Sequence, residues 1–295
     1  MTLYGIAPAA FRRVMAPENG RDHAREIAAV ARNWWLENRG GSSDLPIALG
    51  TLAALALAAP PTVHGPDYGD LLIPLDDEQL VDALRSVWNS FWHSRPELVD
   101  VARPLHGWLE DPSDGQVRGL SDYARVLIRA GVLEYVSDVR RCEADDILGL
   151  LVQQMRSYEA RQKQGQFFTP AIAANALAEV ILTDRFPPGT QFLEPCAGTG
   201  TMIRAGAATL RFQGLEPASY RWWMNDLDEV NAACCAASSA LWRLGPNVTI
   251  TQGNSLRPPS ELEQSAQERS SRVIQERRRS PLLYETRTRP ACWPA

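Results

Sequence analysis

The residues with the clearest chemical potential form a glycine-containing loop, with the sequence EPCAGTG at positions 194–200. The segment QFLEPC is predicted to be a short buried strand, and the segment AGTGTMIRAGAATLRF is predicted to be a loop that opens a helix. Glycine in such a loop lets the backbone approach a ligand closely at the N-terminus of the helix. Gly198 and Gly200 are therefore candidate ligand-binding residues, and a Gly-x-Gly pair alone does not identify the ligand.

Two common phosphate-binding loops are excluded by the residues around these glycines. A Walker loop requires Gly-x-x-x-x-Gly-Lys-Ser/Thr, and this loop contains no lysine. A dinucleotide-binding loop requires a third glycine at the position that Ile203 occupies. The interpretation that remains is an adenosine-type ligand, held beside an acidic strand end without a phosphate cradle.

Polar residues follow the next two predicted strands. Asp226 ends the segment SYRWWMND, where a carboxylate can accept hydrogen bonds from both ribose hydroxyls, as it does in dinucleotide-binding folds. Alternatively, Asp226 or Asp228 caps the helix that follows; we favour the ligand role for Asp226 and the capping role for Asp228. Asn254, after the segment NVTITQ, can offer a carbonyl and an N–H group to an adenine ring. It is also compatible with an ordinary turn.

The elements that position these residues alternate between strand and helix, which predicts a parallel sheet with crossover helices. The preceding part of the chain has apolar residues at helical spacing. Its predicted helices cover residues 21–37, 76–92, 96–110, 121–136 and 144–162. After Leu256 there is no convincing strand, only a polar helix over residues 261–278 and an Arg/Pro/Thr-rich end. We therefore predict an α/β protein with a helical N-terminal domain (1–160), a sheet domain (161–256) and a polar, disordered tail (257–295).

Composition limits the classes of protein that remain. The chain has 295 residues and a net charge of −5, so no global basic field drives it onto nucleic acid. Its five cysteines form no Cys-x-x-Cys pair and lie at no zinc-ligand spacing to a histidine, so we expect no metal site and reduced thiols in the cytoplasm. The longest apolar run, residues 47–59, falls short of the roughly 20 residues that span a bilayer, and no membrane association is expected.

Four short motifs taken together resemble the adenine-N6 DNA methyltransferases. They are GQFFTP at 165–170, EPCAGTG at 194–200, ND at 225–226 and GNSL at 253–256. The likeness is greatest to the modification subunit of type I restriction systems, in which a helical N-terminal domain precedes a Rossmann-like methyltransferase domain. It covers residues 145–256, including the segment DDILGLL before the first motif.

The resemblance implies a cofactor, partners and a set of site residues. The cofactor would be S-adenosylmethionine, and the partners would be double-stranded DNA and a separate DNA-specificity subunit. Phe168, Thr169 and Pro170 would pack along the methionine side of the cofactor, and Glu194 would orient its ammonium group. The implied contacts to the rest of the cofactor are backbone access at Gly198 and Gly200, the ribose at Asp226 and the adenine at Asn254.

The sequence departs from this family at the catalytic motif. The family uses Asn/Asp-Pro-Pro-Tyr/Phe to accept hydrogen bonds from the target amino group and to stack on the flipped adenine. Here only RPPS occurs, at 257–260; Arg257 cannot accept a hydrogen bond and Ser260 cannot stack. No catalytic residue is therefore assigned.

Three hypotheses about function remain. The chain is a DNA adenine-N6 methyltransferase of a restriction-modification system, or a non-catalytic remnant or binding subunit that retains part of the cofactor pocket. A weaker third hypothesis is an RNA or protein methyltransferase, which usually lacks GQFFTP upstream of the glycine loop. A truncation or a shifted reading frame near residues 272–280 would fit the missing motif.

Overall fold

A computed structural model describes most of the chain. The described residues are 19–39, 44–58, 68–157, 165–183 and 186–258, together with 159, 162 and ten positions between 260 and 275. The ten described positions between 260 and 275 are all helical. Residues 276–295, which belong to the predicted disordered tail, lie outside the described residues, as do residues 1–18.

The first part of the described chain is helical. Two short 3-10 turns, at Pro96–Leu98 and Gly107–Leu109, add to its α-helices, and a third, at Pro217–Ser219, lies in the second part of the chain. The helices of this part are α1 (Gly20–Arg39), α2 (Leu45–Ala58), α3 (Tyr68–Leu72), α4 (Asp77–Ser94), α5 (Val99–His106), α6 (Asp114–Val117), α7 (Leu120–Arg129), α8 (Val132–Ser137), α9 (Val139–Cys142) and α10 (Ile147–Met155).

Helix α2 explains the longest apolar run in the sequence. It is apolar on all sides, and almost all of its residues are buried, so it forms the centre of the helical part. No helix among the described residues combines the length and hydropathy needed to cross a membrane.

Two predicted helices are confirmed closely and three differ from the prediction. Residues 21–37 and 76–92 correspond to α1 and α4, whereas residues 96–110 contain only the shorter α5 with a 3-10 turn on each side. The stretch 121–136 is broken at Gly131, which has φ +84° and lies against His23; a Cβ atom at this glycine would be 2.6 Å from the His23 Nε2 atom. The helix predicted over 144–162 begins only at Ile147, after Asp146 caps it, and ends at Met155 because Arg156 has an extended backbone.

The second part of the chain contains a parallel sheet, as the alternation of strands and helices predicts. Its strands are β1 (Gln191–Glu194), β2 (Arg221–Asp226) and β3 (Val248–Gln252), in the order β1-β2-β3, and both pairings are parallel. Its helices are α11 (Ala171–Ile181), α12 (Thr201–Phe212) and α13 (Glu229–Leu241), of which α12 and α13 are the crossovers. The carboxyl ends of the three strands therefore share one edge.

Helix α13 lies between the sheet and the helical part. It packs on β2 and β3 on one side and on α2 and α5 on the other. Its sequence, EVNAACCAASSAL, is rich in small residues, which allow close packing between helices, and nearly all of it is buried. One continuous apolar core consequently extends from α1 in the helical part to β3.

Candidate functional site

A pocket of about 580 Å³ lies at the carboxyl ends of the three strands. Ligands of parallel α/β sheets bind outside this edge, in the crevice between the loops. The lining combines backbone, amide, carboxylate and aromatic groups. It consists of Gly165, Gln166, Phe167, Phe168, Pro195, Cys196, Gly198, Asn225, Asp226, Leu227, Asp228, Asn231, Gly253, Asn254 and Ser255.

Asp226 organises the middle of the pocket. Its Oδ2 atom accepts a hydrogen bond from the Gly198 N–H at 2.8 Å, which fixes the glycine loop against the end of β2. Its Oδ1 atom accepts bonds from the Asp228 N–H at 2.9 Å and the Asn231 side chain at 3.2 Å. Burial raises the pKa of Asp226 and outweighs these hydrogen bonds, which lower it. A carboxylate has roughly four acceptor positions, so one remains beyond the three that are filled.

Asn225 joins the ends of all three strands. Its Nδ2 atom donates to the carbonyl of Pro195 after β1, at 3.2 Å, and to the carbonyl of Gly253 after β3, at 2.9 Å. Its Oδ1 atom accepts from the hydroxyl of Thr251 at 2.7 Å. The buried amide thus fixes the spacing of the loops that form the pocket. Two sequence signals mark Asn225: it belongs to the ND motif at 225–226, and it is a polar residue near the end of an apolar strand.

Asp228 caps α13, as predicted, because its carboxylate accepts a hydrogen bond from the Asn231 N–H at 2.9 Å. The same carboxylate forms an ion pair with Arg156 at 2.9 Å and accepts a hydrogen bond from Gln166 at 3.1 Å. Arg156 also donates to the Gln166 side-chain oxygen at 2.8 Å. This triangle attaches the GQFFTP segment to the sheet. Neither Arg156 nor Gln166 is among the predicted site residues, although Gln166 belongs to the GQFFTP motif.

Two aromatic residues of the GQFFTP segment face the pocket. The Phe167 side chain is 84% exposed at its rim. The Phe168 ring lies beside the glycine loop: a Cβ atom on Gly198 would be 3.9 Å from it. Gly198 itself has φ +57°, a conformation that favours glycine. The loop and the aromatic segment are therefore adjacent walls of one crevice.

The structure brings four of the eight predicted cofactor-binding residues to the lining of the pocket: Phe168, Gly198, Asp226 and Asn254. Asn254 uses its side-chain oxygen locally, to accept a hydrogen bond from the Leu256 N–H at 3.0 Å. Binding of the cofactor by these four residues stays a prediction.

The other four, Thr169, Pro170, Glu194 and Gly200, adjoin the pocket without lining it. Glu194 accepts a hydrogen bond from the Cys196 N–H at 3.2 Å. Gly200 precedes α12 with φ +102°, and a Cβ atom there would be 2.9 Å from the Trp242 ring, so packing requires a glycine. Their roles toward a cofactor likewise stay predictions.

Comparison with solved structures finds structural similarity at low sequence identity. The methyltransferase subunit of the type I restriction-modification system from Streptococcus thermophilus is similar to 82% of this chain, with 13% sequence identity and a TM-score of 0.49. This chain covers 60% of that structure. No protein-family model matches the sequence. No curated protein matches it either.

Proposed function

We propose that the chain binds S-adenosylmethionine in this pocket and acts in the methylation of adenine N6 in DNA. The observation that supports the proposal best is the contact between Asp226, at the end of β2, and the backbone N–H of Gly198 in the loop after β1. It joins an acidic strand end to a glycine loop, as expected for a nucleoside-binding site in a parallel sheet.

The pocket suits a nucleoside of this size and chemistry. Its volume of about 580 Å³ falls within the range of roughly 300–1,000 Å³ that is typical of small-molecule sites. The acceptor position left on Asp226 would take a ribose hydroxyl, and Asn254 would contact the adenine. Phe168 and Gly198 would contact the rest of the cofactor. When bound, S-adenosylmethionine supplies an activated methyl group on its sulfonium.

The proposed enzyme would use double-stranded DNA as substrate and a separate specificity subunit as partner, as the motif resemblance implies. A second candidate function is a cofactor-binding subunit without catalysis. The sequence after β3 favours it, because RPPS at 257–260 offers no side chain that accepts a hydrogen bond from a flipped adenine and also stacks on it.

Calorimetry with S-adenosylmethionine tests the binding step. Asp226→Asn keeps the shape of the side chain but removes its charge, and should weaken binding about tenfold or more, which corresponds to about 1.4 kcal/mol. Asp76→Asn, at an exposed helix cap outside the pocket, is the matched control and should bind as the parent does. No binding by the parent would refute the proposal.

Incubation with unmethylated DNA and radiolabelled cofactor separates the two candidate functions. N6-methyladenine in the DNA would support the enzyme. Binding of the cofactor without transfer of the label would support the binding subunit.

A further inference from the structure

Helix α10 belongs to the helical part of the chain but contacts two walls of the pocket. Asp146, at its N-terminus, contacts the glycine loop, and Arg156, just after its C-terminus, contacts the turn at Asp228 and the GQFFTP segment. The ten residue steps between these two anchors correspond to about 15 Å of helix. The helix therefore connects the glycine loop to the turn at Asp228.

The N-terminal anchor is a buried carboxylate. Asp146 is 3% exposed; its Oδ1 atom caps the helix at the Gly149 N–H, and its Oδ2 atom accepts a hydrogen bond from the Thr199 hydroxyl at 2.5 Å. Thr199 lies between the two glycines of the loop and is 1% exposed. The contact leaves no space for a larger residue at Gly149, where a Cβ atom would be 2.3 Å from the Thr199 hydroxyl oxygen. Three residues thus interlock behind the loop.

The C-terminal anchor is the Arg156 guanidinium, which is 11% exposed. It donates to Asp228 through one nitrogen and to Gln166 through another. A planar guanidinium can hold two acceptors at fixed directions, which an ammonium group cannot do in the same way. Arg156 consequently fixes the GQFFTP segment relative to the N-terminus of α13.

We propose that α10 sets the width of the pocket, with Asp146 and Arg156 as positioning residues that act through Thr199, Asp228 and Gln166. The pocket is a cofactor site only if the proposed function holds. The positioning role concerns the walls themselves and can be measured without ligand. A consequence is that the helical part of the chain controls the geometry of ligand binding, although none of helices α1–α10 lines the pocket.

Hydrogen exchange read by mass spectrometry tests both anchors in the ligand-free full chain. In the parent, the amides of Ala197, Gly198 and Gly200 are hydrogen-bonded and should exchange slowly. Thr199→Val keeps the shape and removes the hydroxyl; we expect exchange in residues 195–201 to rise about fivefold or more. Thr199→Ser keeps the hydroxyl and removes the methyl, and should restore the parent rate. If Thr199 acted through packing alone, Thr199→Ser would raise exchange more than Thr199→Val does, and that result would overturn the proposal.

A buried threonine elsewhere provides the matched control. Thr51, in the middle of α2, is 0% exposed and its hydroxyl has no hydrogen-bond partner. Thr51→Val should leave exchange in residues 195–201 unchanged. Peptides from α4 report global unfolding; if Thr199→Val unfolds the chain, the other anchor still decides the proposal.

Arg156→Met tests that second anchor. It should raise exchange in residues 226–232, where the amides of Asp228 and Asn231 are hydrogen-bonded. Unchanged exchange would overturn the positioning role of Arg156. S-adenosylmethionine affinity is measured in parallel and should fall about fivefold or more in Thr199→Val and Arg156→Met. If the parent itself does not bind, the proposed function fails, while the exchange rates still decide the role of α10.

Discussion

The buried carboxylate of Asp146 should make the stability of the protein depend on pH in a direction opposite to that of most acidic residues. Burial raises the pKa of Asp146 to about 6, from its ordinary value of 3.8, although hydrogen bonds from Thr199 and Gly149 lower it. Neighbouring Asp145 raises the pKa further and Arg204 lowers it. Between these two pKa values the folded state binds more protons than the unfolded state. The stability from this group is therefore fully present below pH 4 and is lost as the pH rises through 6.

The shift from 3.8 to about 6 corresponds to about 3 kcal/mol of unfolding free energy over the whole range. About 2 kcal/mol of this falls between pH 4.5 and pH 7, which is accessible to equilibrium measurements. Because other groups titrate in the same range, the quantity to measure is the difference between the parent and Asp146→Asn. Asparagine keeps an acceptor for the Gly149 N–H and does not ionise. The difference should therefore shift by about 2 kcal/mol in favour of the variant as the pH rises from 4.5 to 7.

Urea unfolding followed by circular dichroism, at half-unit steps of pH, measures this difference. The matched control is Asp76→Asn, because Asp76 also caps a helix at the third N–H group but is exposed. The difference in unfolding free energy between Asp76→Asn and the parent should change by less than about 0.5 kcal/mol over the same pH range, as is usual for exposed sites. A parent-to-Asp146→Asn difference that stays constant with pH, or that shifts in favour of the parent, would refute the reasoning about burial.

Three further predictions concern residues that shape the pocket or its support. Gly200→Ala should destabilise the protein by about 2–4 kcal/mol in urea unfolding, through backbone strain and contact with Trp242; Gly214→Ala, with positive φ but open space, should cost only about 1–2 kcal/mol. Equal losses would contradict the contact. Tyr135→Phe removes a buried hydroxyl whose single proton is shared between the carbonyls of Cys142 and Asp145, and should cost about 1–2 kcal/mol; no loss would show that this hydrogen bonding contributes nothing net. Asn225→Ala should speed hydrogen exchange in residues 195–201 and 253–255 together, and an effect on one loop alone would contradict its joint role.

The sheet could be predicted from sequence because its signals are local. Short apolar runs bounded by glycine, proline and aspartate give the strands, and the order of elements requires parallel pairing. The helical part was predicted less exactly, since its boundaries depend on tertiary contacts. Gly131 separates α7 from α8 while packed against His23 of α1, more than 100 positions away, and no local pattern reveals this.

The candidate site could be predicted in part for the same reason. Phe168, Gly198, Asp226 and Asn254 belong to motifs that the topology brings to one edge of the sheet. The residues that support them are recognised only through distant partners. Asp146 contacts a residue 53 positions away, and Arg156 contacts one 72 positions away. An aspartate before a helix and an arginine after it otherwise indicate ordinary capping.

The charge distribution of the pocket explains why it needs support from the helical part. Asp226 and Asp228 stand two residues apart at one edge, and the charge of Asp228 adds to burial in raising the pKa of Asp226. Arg156 compensates one of them, while backbone and amide N–H groups compensate the other. With the two carboxylates held in this way, Asp226 accepts hydrogen bonds from uncharged N–H groups, whereas Asp228 is paired with the Arg156 guanidinium. The difference between these two similar residues therefore follows from the position of α10, whose C-terminal end places the Arg156 guanidinium beside Asp228.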